Sequence, residues 1–438
     1  MRFTTVPPSR FLLALLPPFE VVSRGLSAAA APLLLCLLLL LPIAQATTVE
    51  HAIAIGKVVD AEGKPIEHAM VLVYSASIRK GFSIFCPTCY VDCGKRTFTQ
   101  ADGGYTIRGL SSDLLFNLLV TRQGFAAKFV NAVDPQKGPA EAAILNRRTL
   151  PANPAQIIKA KVVDKKGTPI RDALVEQKGA VVGQARSFGP AGWLDLMSVT
   201  DDDGEFEIAY GKPLDAAIVL VAPRAMAPKV ATVQSGRHGD IITVTDGSTI
   251  RGRLMQDGKP IAQAEIGIST YNRAISQSFP EVRIGSDEQG RFTITNVPPH
   301  RIWYVYTKME SLASRGMASE IVECATQDDG RDVDLGDIPV KQAYTLRGNV
   351  VLTDRKPIPP DMHMNLFSGR IPDSQTLVLP PDGKFEFHGL GRGVFALTPS
   401  VRGYEPGEGV SLEILIDQDL SNLELPLQPT KVRNERIE

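Results

Sequence analysis

The stretch GKVVDAEGKPIEHAMV, residues 56 to 71, returns as AKVVDKKGTPIRDALV at 160 to 175 and as RGRLMQDGKPIAQAEI at 251 to 266. A recurrence on this scale limits the chain to architectures built from one repeated part. The shared skeleton is a short β-rich run, a turn at Gly63, Gly167 or Gly258, and a Pro-Ile pair (Pro65-Ile66, Pro169-Ile170, Pro260-Ile261). A small residue follows, Ala69, Ala173 or Ala264, then a strand of alternating apolar residues such as Val71 and Val73, or Ile266 and Ile268. A looser fourth copy begins at LRGNVVLTDRKPIPP, 346 to 360. It keeps Pro357-Ile358 but carries Arg355 where the others have glycine.

A second signature lies downstream in each copy: TQADGGYTI at 99, TDDDGEFEI at 200, SDEQGRFTI at 286 and LPPDGKFEF at 379. Gly103, Gly204, Gly290 and Gly383 are each followed two residues later by an aromatic, Tyr105, Phe206, Phe292 or Phe385. Two residues further stands Ile107, Ile208, Ile294 or Phe387. Period-two spacing puts the aromatic and the next apolar residue on one face of a strand. The glycine supplies a positive φ that a Cβ would make costly by about 1–2 kcal/mol. The Asp before it in three copies can bond its own backbone in an Asx-turn. Burying the aromatic is worth roughly 1.5–3 kcal/mol, so its loss is expected to affect stability and says nothing of catalysis.

The signature glycines recur roughly every 90 residues, the length of a small sandwich of about seven strands. Hydrophobic content of 44% and charged content of 22% fit real cores. Helical periodicity is nearly absent after residue 46. The exceptions near Asp113 to Leu115 and Met309 to Ala313 read as turns or single helical turns.

The copies resemble the carboxypeptidase regulatory-like domain, a transthyretin-like β-sandwich. The resemblance rests on Gly-x-Val-x-Asp-x-x-Gly-x-Pro-Ile-x-x-Ala (Gly56 to Ala69) and Thr-x-x-Asp-Gly-x-aromatic-x-Ile (Thr99 to Ile107). VDLGDIPVKQAYTLRG, 333 to 348, looks like the last strand of one such domain running into the first of the next. The expected fold is all-β: four tandem Ig-like, transthyretin-like antiparallel β-sandwich domains after an N-terminal signal segment. Their bounds are expected at 47–153 (with a Cys loop), 154–246, 247–342 and 343–430, with a tail at 431–438. The resemblance implies a binding or structural accessory. The zinc carboxypeptidase catalytic domain beside which such sandwiches occur finds no room among them. Short joints at Leu150 to Asn153 and Pro339 to Ala343 point to a semi-rigid rod.

Arg2, Arg10 and Arg24 precede a dense apolar run, Ala31 to Ile43, which ends in Ala44-Gln45-Ala46. About 13 residues are too few to span ~30 Å of hydrocarbon comfortably. Residues 1–46 read as a signal peptide cut after Ala46, and the mature chain as secreted, periplasmic or in the cell envelope. The alternative is an uncleaved anchor at residues 28–43, the only route to membrane association. Lys+Arg 47 against Asp+Glu 48 gives no bulk field toward nucleic acid or anionic lipid.

Outside the signal segment the cysteines are Cys86, Cys89, Cys93 and Cys324, three of them in FCPTCYVDCGKR, 85 to 96. Export favours a disulfide within the loop. Free thiols at Cys86 and Cys324 remain an alternative, as does a metal site that His68 or Asp92 would have to complete. The tail CYVDCGKR looks like a loop of bacterial relatives of this domain, which implies the pair Cys89–Cys93. Extended, those two would lie about 13 Å apart, beyond the ~4.4–6.8 Å a disulfide permits, so the bond needs a turn at Tyr90 to Asp92.

The six histidines show no metal-pair spacing. Asp201-Asp202-Asp203-Gly204 reads as a turn in preference to a calcium loop, whose sixth position would need glycine and holds Phe206. The insertion RSFGPAGWLDLMS, 186 to 198, makes Trp193 with Phe188 the candidate surface for stacking a sugar. No catalytic residue and no cofactor is expected. The expected function is a non-catalytic exported structural, adhesion or scaffold protein, with other envelope proteins or polysaccharide as partners. Carbohydrate or peptide binding through inter-strand loops is the alternative, and metal or redox chemistry at the Cys loop a further one.

Overall fold

A computed structural model describes residues 51–83, 86–88, 90, 92–189, 194–270, 284–410 and 412–430. The expected signal segment at 1–46 and the tail at 431–438 lie outside the described residues. The described chain forms four β-sandwiches.

In the first, a sheet of Gly104–Ser111, His51–Asp60 and Ala143–Leu145 faces one of Arg96–Phe98, Met70–Ile78, Leu114–Thr121 and Lys128–Val133. In the second, Glu205–Ala209, Ile157–Val163 and Asp240–Thr243 face a sheet centred on Leu174–Val182 and Ala216–Ala222, with Ala185–Phe188 and Lys229–Gln234 at its edges. The third is built on Ser248–Gln256 and Val333–Gln342 against Glu265–Ser269 and Ile302–Thr307. The fourth sets Tyr344–Leu352 and Leu420–Pro429 against Met362–Ser368 and Gly393–Ser400. VDLGDIPVKQ and YTLRGNVVL are, as expected, the last strand of the third sandwich and the first of the fourth.

Each sandwich adds one parallel pair to its antiparallel ladders. The last strand joins the first, with Val58 opposite Ala143, Val162 opposite Ile242, Leu254 opposite Ile338 and Val350 opposite Leu425. The chain arrives at that strand from the opposite sheet, so it enters running the same way as the first strand.

The repeated signature builds one corner four times. Gly103, Gly204, Gly290 and Gly383 have φ between 73° and 75°. Their amide neighbours pair as in one mould: Val58 N, Val162 N, Leu254 N and Val350 N donate to these glycines' carbonyls at 2.8–2.9 Å. A Cβ at Gly204 would stand 2.4 Å from Val162 O, so the position is closed to side chains by space as well as by φ. The aromatics two residues on are buried in the cores of their own sandwiches.

The Asx-turns are distributed differently from the sequence expectation. Asp102 Oδ1 and Asp382 Oδ1 accept the amides of Gly104 (2.8 Å) and Lys384 (3.2 Å). In the second and third copies the acceptor is Asp201 or Asp287, earlier in the turn, each taking two amides. Asp201 is thereby occupied as a turn residue.

The junctions are packed. Met70, Leu72, Phe98 and Leu119 of the first sandwich form one cluster with Leu174, Met197, Val199 and Ala222 of the second. Leu220 of the second enters the core of the third. Met309, opening the short helix Met309–Ala313 of the third, enters the core of the fourth. Phe82 of the first also packs on the fourth core. Its amide donates to Asp361 O (3.1 Å), its carbonyl lies 3.3 Å from His363 Nδ1, and Arg402 stands 5.6 Å from its ring centroid. The sequence of contacts therefore runs first, second, third, fourth and back to first. The end-to-end rod expected from the joints does not form, because Phe82 of the first sandwich closes onto the fourth; Pro339 lies within a strand and not in a linker.

Candidate functional site

The Cys loop folds back over Met70–Ile78. Ala76 N donates to Pro87 O (2.7 Å), and Gly94 N donates to Val73 O (2.8 Å). The expected turn is present, closed by Cys93 N donating to Tyr90 O (3.0 Å). The expected Cys89–Cys93 bond is not: Cys93 is a free thiol, buried in the first core, with Sγ 3.4 Å from Pro87 O. Cys86 is disulfide-bonded, and Cys89 lies outside the described residues. A buried ion pair does the stapling that Cys93 does not. Lys95 Nζ bonds Asp92 and also Gly109 O (2.5 Å), while Asp92 Oδ2 accepts Ser111 N (2.8 Å). Charged groups this deep are tolerated because each one's remaining bonds are satisfied.

Burial pushes the Cys93 thiol up to about 12. A thiol held protonated is a poor nucleophile and a poor metal ligand at neutral pH. Cys324 sits in the third sandwich, on Val322–Ala325 opposite Trp303, and burial pushes it up to about 11. The structure thus places Cys93 and Cys324 in separate sandwiches. Among the described residues no group of His, Cys, Asp and Glu is arranged to hold a metal ion.

Phe188 ends the edge strand Ala185–Phe188 and is 76% exposed. Trp193 lies outside the described residues, so the proposed pair is seen from one side only. The far end of that insertion is anchored. Asp195 Oδ2 accepts Ala209 N (2.8 Å) and pairs with Arg148, whose other Nη meets Glu207. Lys159 Nζ completes the cluster 2.6 Å from Glu207. Burial raises the Asp195 carboxyl against the pull of Arg148. Sequence reading missed this cluster, because its members come from the segment before the joint, the insertion and two strands.

A cleft of about 320 Å³ opens where the third sandwich meets the fourth. Arg370 and Arg392 stand exposed beside it, and Asp373 and Tyr306 line it. Asp373 spans the junction: Oδ2 accepts Met309 N (2.8 Å) and Oδ1 accepts Ser374 N (3.2 Å). Burial pushes Asp373 up to about 6, with Lys308 opposing and Glu310 adding to the shift. The hydroxyls of Thr307 and Ser319 bond each other at 2.9 Å. No nucleophile–base pair of the kind acyl or glycosyl transfer uses occurs among the cleft's hydrogen bonds in the described residues. The arrangement can hold a polar ligand.

No protein-family model matches the chain, and no curated protein matches it. Solved structures similar to it include a streptococcal ancillary pilin, 11% identical, covering 63% of this chain and 99% of that one, with a TM-score of 0.23. Another is the Bacillus anthracis TIE protein, 11% identical, covering 87% of this chain and 75% of that one, with a TM-score of 0.19. A third is a minor pilin of Streptococcus agalactiae, 14% identical, covering 42% and 97%, with a TM-score of 0.24. Likeness at these levels carries no argument about what this chain does. Among the described residues no helix is long and apolar enough to cross a membrane.

Proposed function

We propose that the chain is an exported, non-catalytic scaffold of the cell envelope, built from four carboxypeptidase regulatory-like sandwiches. One observation carries this reading: the residues that repeat are consumed by the framework. The signature glycines shape corners, the aromatics fill cores, and Thr99, Thr200 and Ser286 tie turns to strands. What was copied is a packing unit, and the packed junctions make a rigid platform of it. Residues 1–46 serve as the cleaved export signal, and the platform's partners are other envelope proteins or polysaccharide.

The test has two parts. Mass spectrometry of the exported chain should find a mature N-terminus after Ala46. Cross-linking should join the neighbourhood of Phe82 to that of Arg402 within one molecule. Turnover of any compound that disappears on replacing one polar side chain, with the fold intact, overturns the scaffold reading.

A second reading, sugar or peptide binding by the 186–198 loop, is favoured by the exposure of Phe188 alone. Binding to a glycan array that Phe188→Ala abolishes, with unchanged melting, would establish it. The metal reading of the Cys loop is disfavoured by the buried, protonated Cys93.

A further inference from the structure

The fourth sandwich brings two arginines to one end of a sheet. Ser368 stands opposite Phe395, and Gly369 N donates to Val394 O (2.8 Å). Arg370 follows on one strand and Arg392 precedes on the other, and both line the cleft of about 320 Å³ at the junction with the third sandwich. Each is exposed. Arg370 lies across the junction, with Cζ 5.5 Å from the ring centroid of Tyr304 in the third sandwich. That contact steadies the guanidinium through its flat face and leaves its N–H groups for other acceptors. Arg392 sits in the turn Gly391-Arg392-Gly393. A Cβ at Gly391 would stand 3.2 Å from Ser319 O, so the turn lies close against the opposite wall of the cleft.

The charged acceptors of this cleft are engaged, and its donors are not. Of its two carboxylates, Glu320 pairs with Lys341 (2.5 Å), and Asp373 accepts the amides of Met309 and Ser374. The hydroxyls of Thr307 and Ser319 bond each other. Among the described residues neither arginine makes an ion pair or a hydrogen bond, and the amides of Gly391 and Arg392 have no acceptor. Two cationic forks and two spare amides, beside carboxylates already occupied, are complementary to an acceptor of negative charge. The volume lies at the small end of ligand pockets, which gives room for one sugar-sized unit and none for a folded partner.

We propose that this cleft binds an oxyanion, the carboxylate or phosphate of a single charged sugar unit, with Arg370 and Arg392 as its ligating forks. The inference rests on the scaffold reading for the sugar, since that reading names polysaccharide as a partner, and on the cleft for the charge. An Arg fork meets either oxyanion through two parallel N–H groups, which a neutral sugar hydroxyl cannot match. The site lies on the seam between two sandwiches, so its two walls come from different repeats, and the repeated residues themselves play no part in it.

The test is isothermal titration calorimetry of the full exported chain with glucuronate, glucose 1-phosphate, glucose and inorganic phosphate. It is run below the value of about 6 to which burial raises Asp373, so that this carboxyl is neutral. A charged sugar should bind and glucose should not, and the one that binds tells carboxylate from phosphate. Arg392→Ala, in an exposed turn, should weaken that binding roughly tenfold, the loss of one charge-assisted pair. Arg370→Lys keeps a cation beside Tyr304 but removes the planar fork, and should also weaken it, with melting unchanged in both variants. Three results overturn the proposal: no charged sugar binds, glucose binds as well as the charged sugars, or binding is indifferent to both variants. Binding of inorganic phosphate with neither charged sugar overturns it too, because the sugar is then excluded. None of these touches the mature N-terminus or the Phe82–Arg402 cross-link, on which the scaffold reading is judged separately.

Discussion

The second and fourth sandwiches solve one corner in two ways. In the second, the Thr200 hydroxyl donates to Ile170 O (2.6 Å) and accepts from Ala173 N (2.9 Å). Thr99 and Ser286 do the same in the first and third. In the fourth the place belongs to Leu379, 2% exposed, and Ile358 N turns to Pro381 O (3.0 Å). The backbone path is common to both. Asp172 and Asp361 each hold φ at 58°, just before Ala173 and Met362, as His68 and Gln263 do before Ala69 and Ala264. The corner's shape thus lies in the main chain, and its filling can be a hydroxyl latch or an apolar plug, provided each comes with its own backbone pairing.

The largest expected effect is at what the two corners share. Gly204→Ala should destabilise the second sandwich by about 2–3 kcal/mol, from positive φ and overlap together. Gly383→Ala should cost the fourth at least as much, since its Cβ would lie 2.1 Å from Val350 O. Chemical denaturation of both variants checks this, and unequal costs would break the equivalence. Next comes the latch. Thr200→Val leaves Ala173 N and Ile170 O buried without their partner, about 1–3 kcal/mol, read as faster local hydrogen exchange at Ala173. Leu379→Thr in the fourth should cost stability, because the buried Leu379 side chain fills the fourth core and a hydroxyl there replaces apolar packing.

The junction carboxylate of the fourth sandwich sharpens the contrast through pH. Asp373 is raised from its ordinary 3.8 to about 6. Its contribution to stability is therefore complete below about 3.8 and is lost as pH rises through about 6. Asp373→Asn should flatten stability between pH 4 and 7 in a melting series, while Asp195→Asn, in a buried ion-pair cluster, should destabilise. Equal profiles for Asp373→Asn and wild type would remove the carboxylate from the account. The smallest effect is at the first turn. Arg355 holds φ at 64° where the other copies have glycine, so Arg355→Gly should stabilise by up to about 1 kcal/mol.

The hairpins, the glycine corners and the aromatic plugs were legible because their information is local: period two, a turn residue, an aromatic at a fixed offset. The strand at 333–342 was legible for the same reason. The role of Thr99 was not, although the residue was part of the quoted motif. A hydroxyl's partners lie across the corner at Ile66 and Ala69, which spacing alone does not reveal. The Phe82 contact was invisible, since nothing in FSIFCPTC marks a partner nearly three hundred residues away. The Cys89–Cys93 pairing failed for a physical reason. The turn it needed is closed by backbone and by Asp92–Lys95, and Cys93 is left to fill the core as a small apolar group.

The return of Phe82 to the fourth sandwich also changes how the body responds to strain. When one seam opens, the other three keep its two halves tethered at a high effective concentration, and the seam closes again before the parts can wander. A break that would set a linear string swinging is here a transient gap, so lasting separation demands two simultaneous failures.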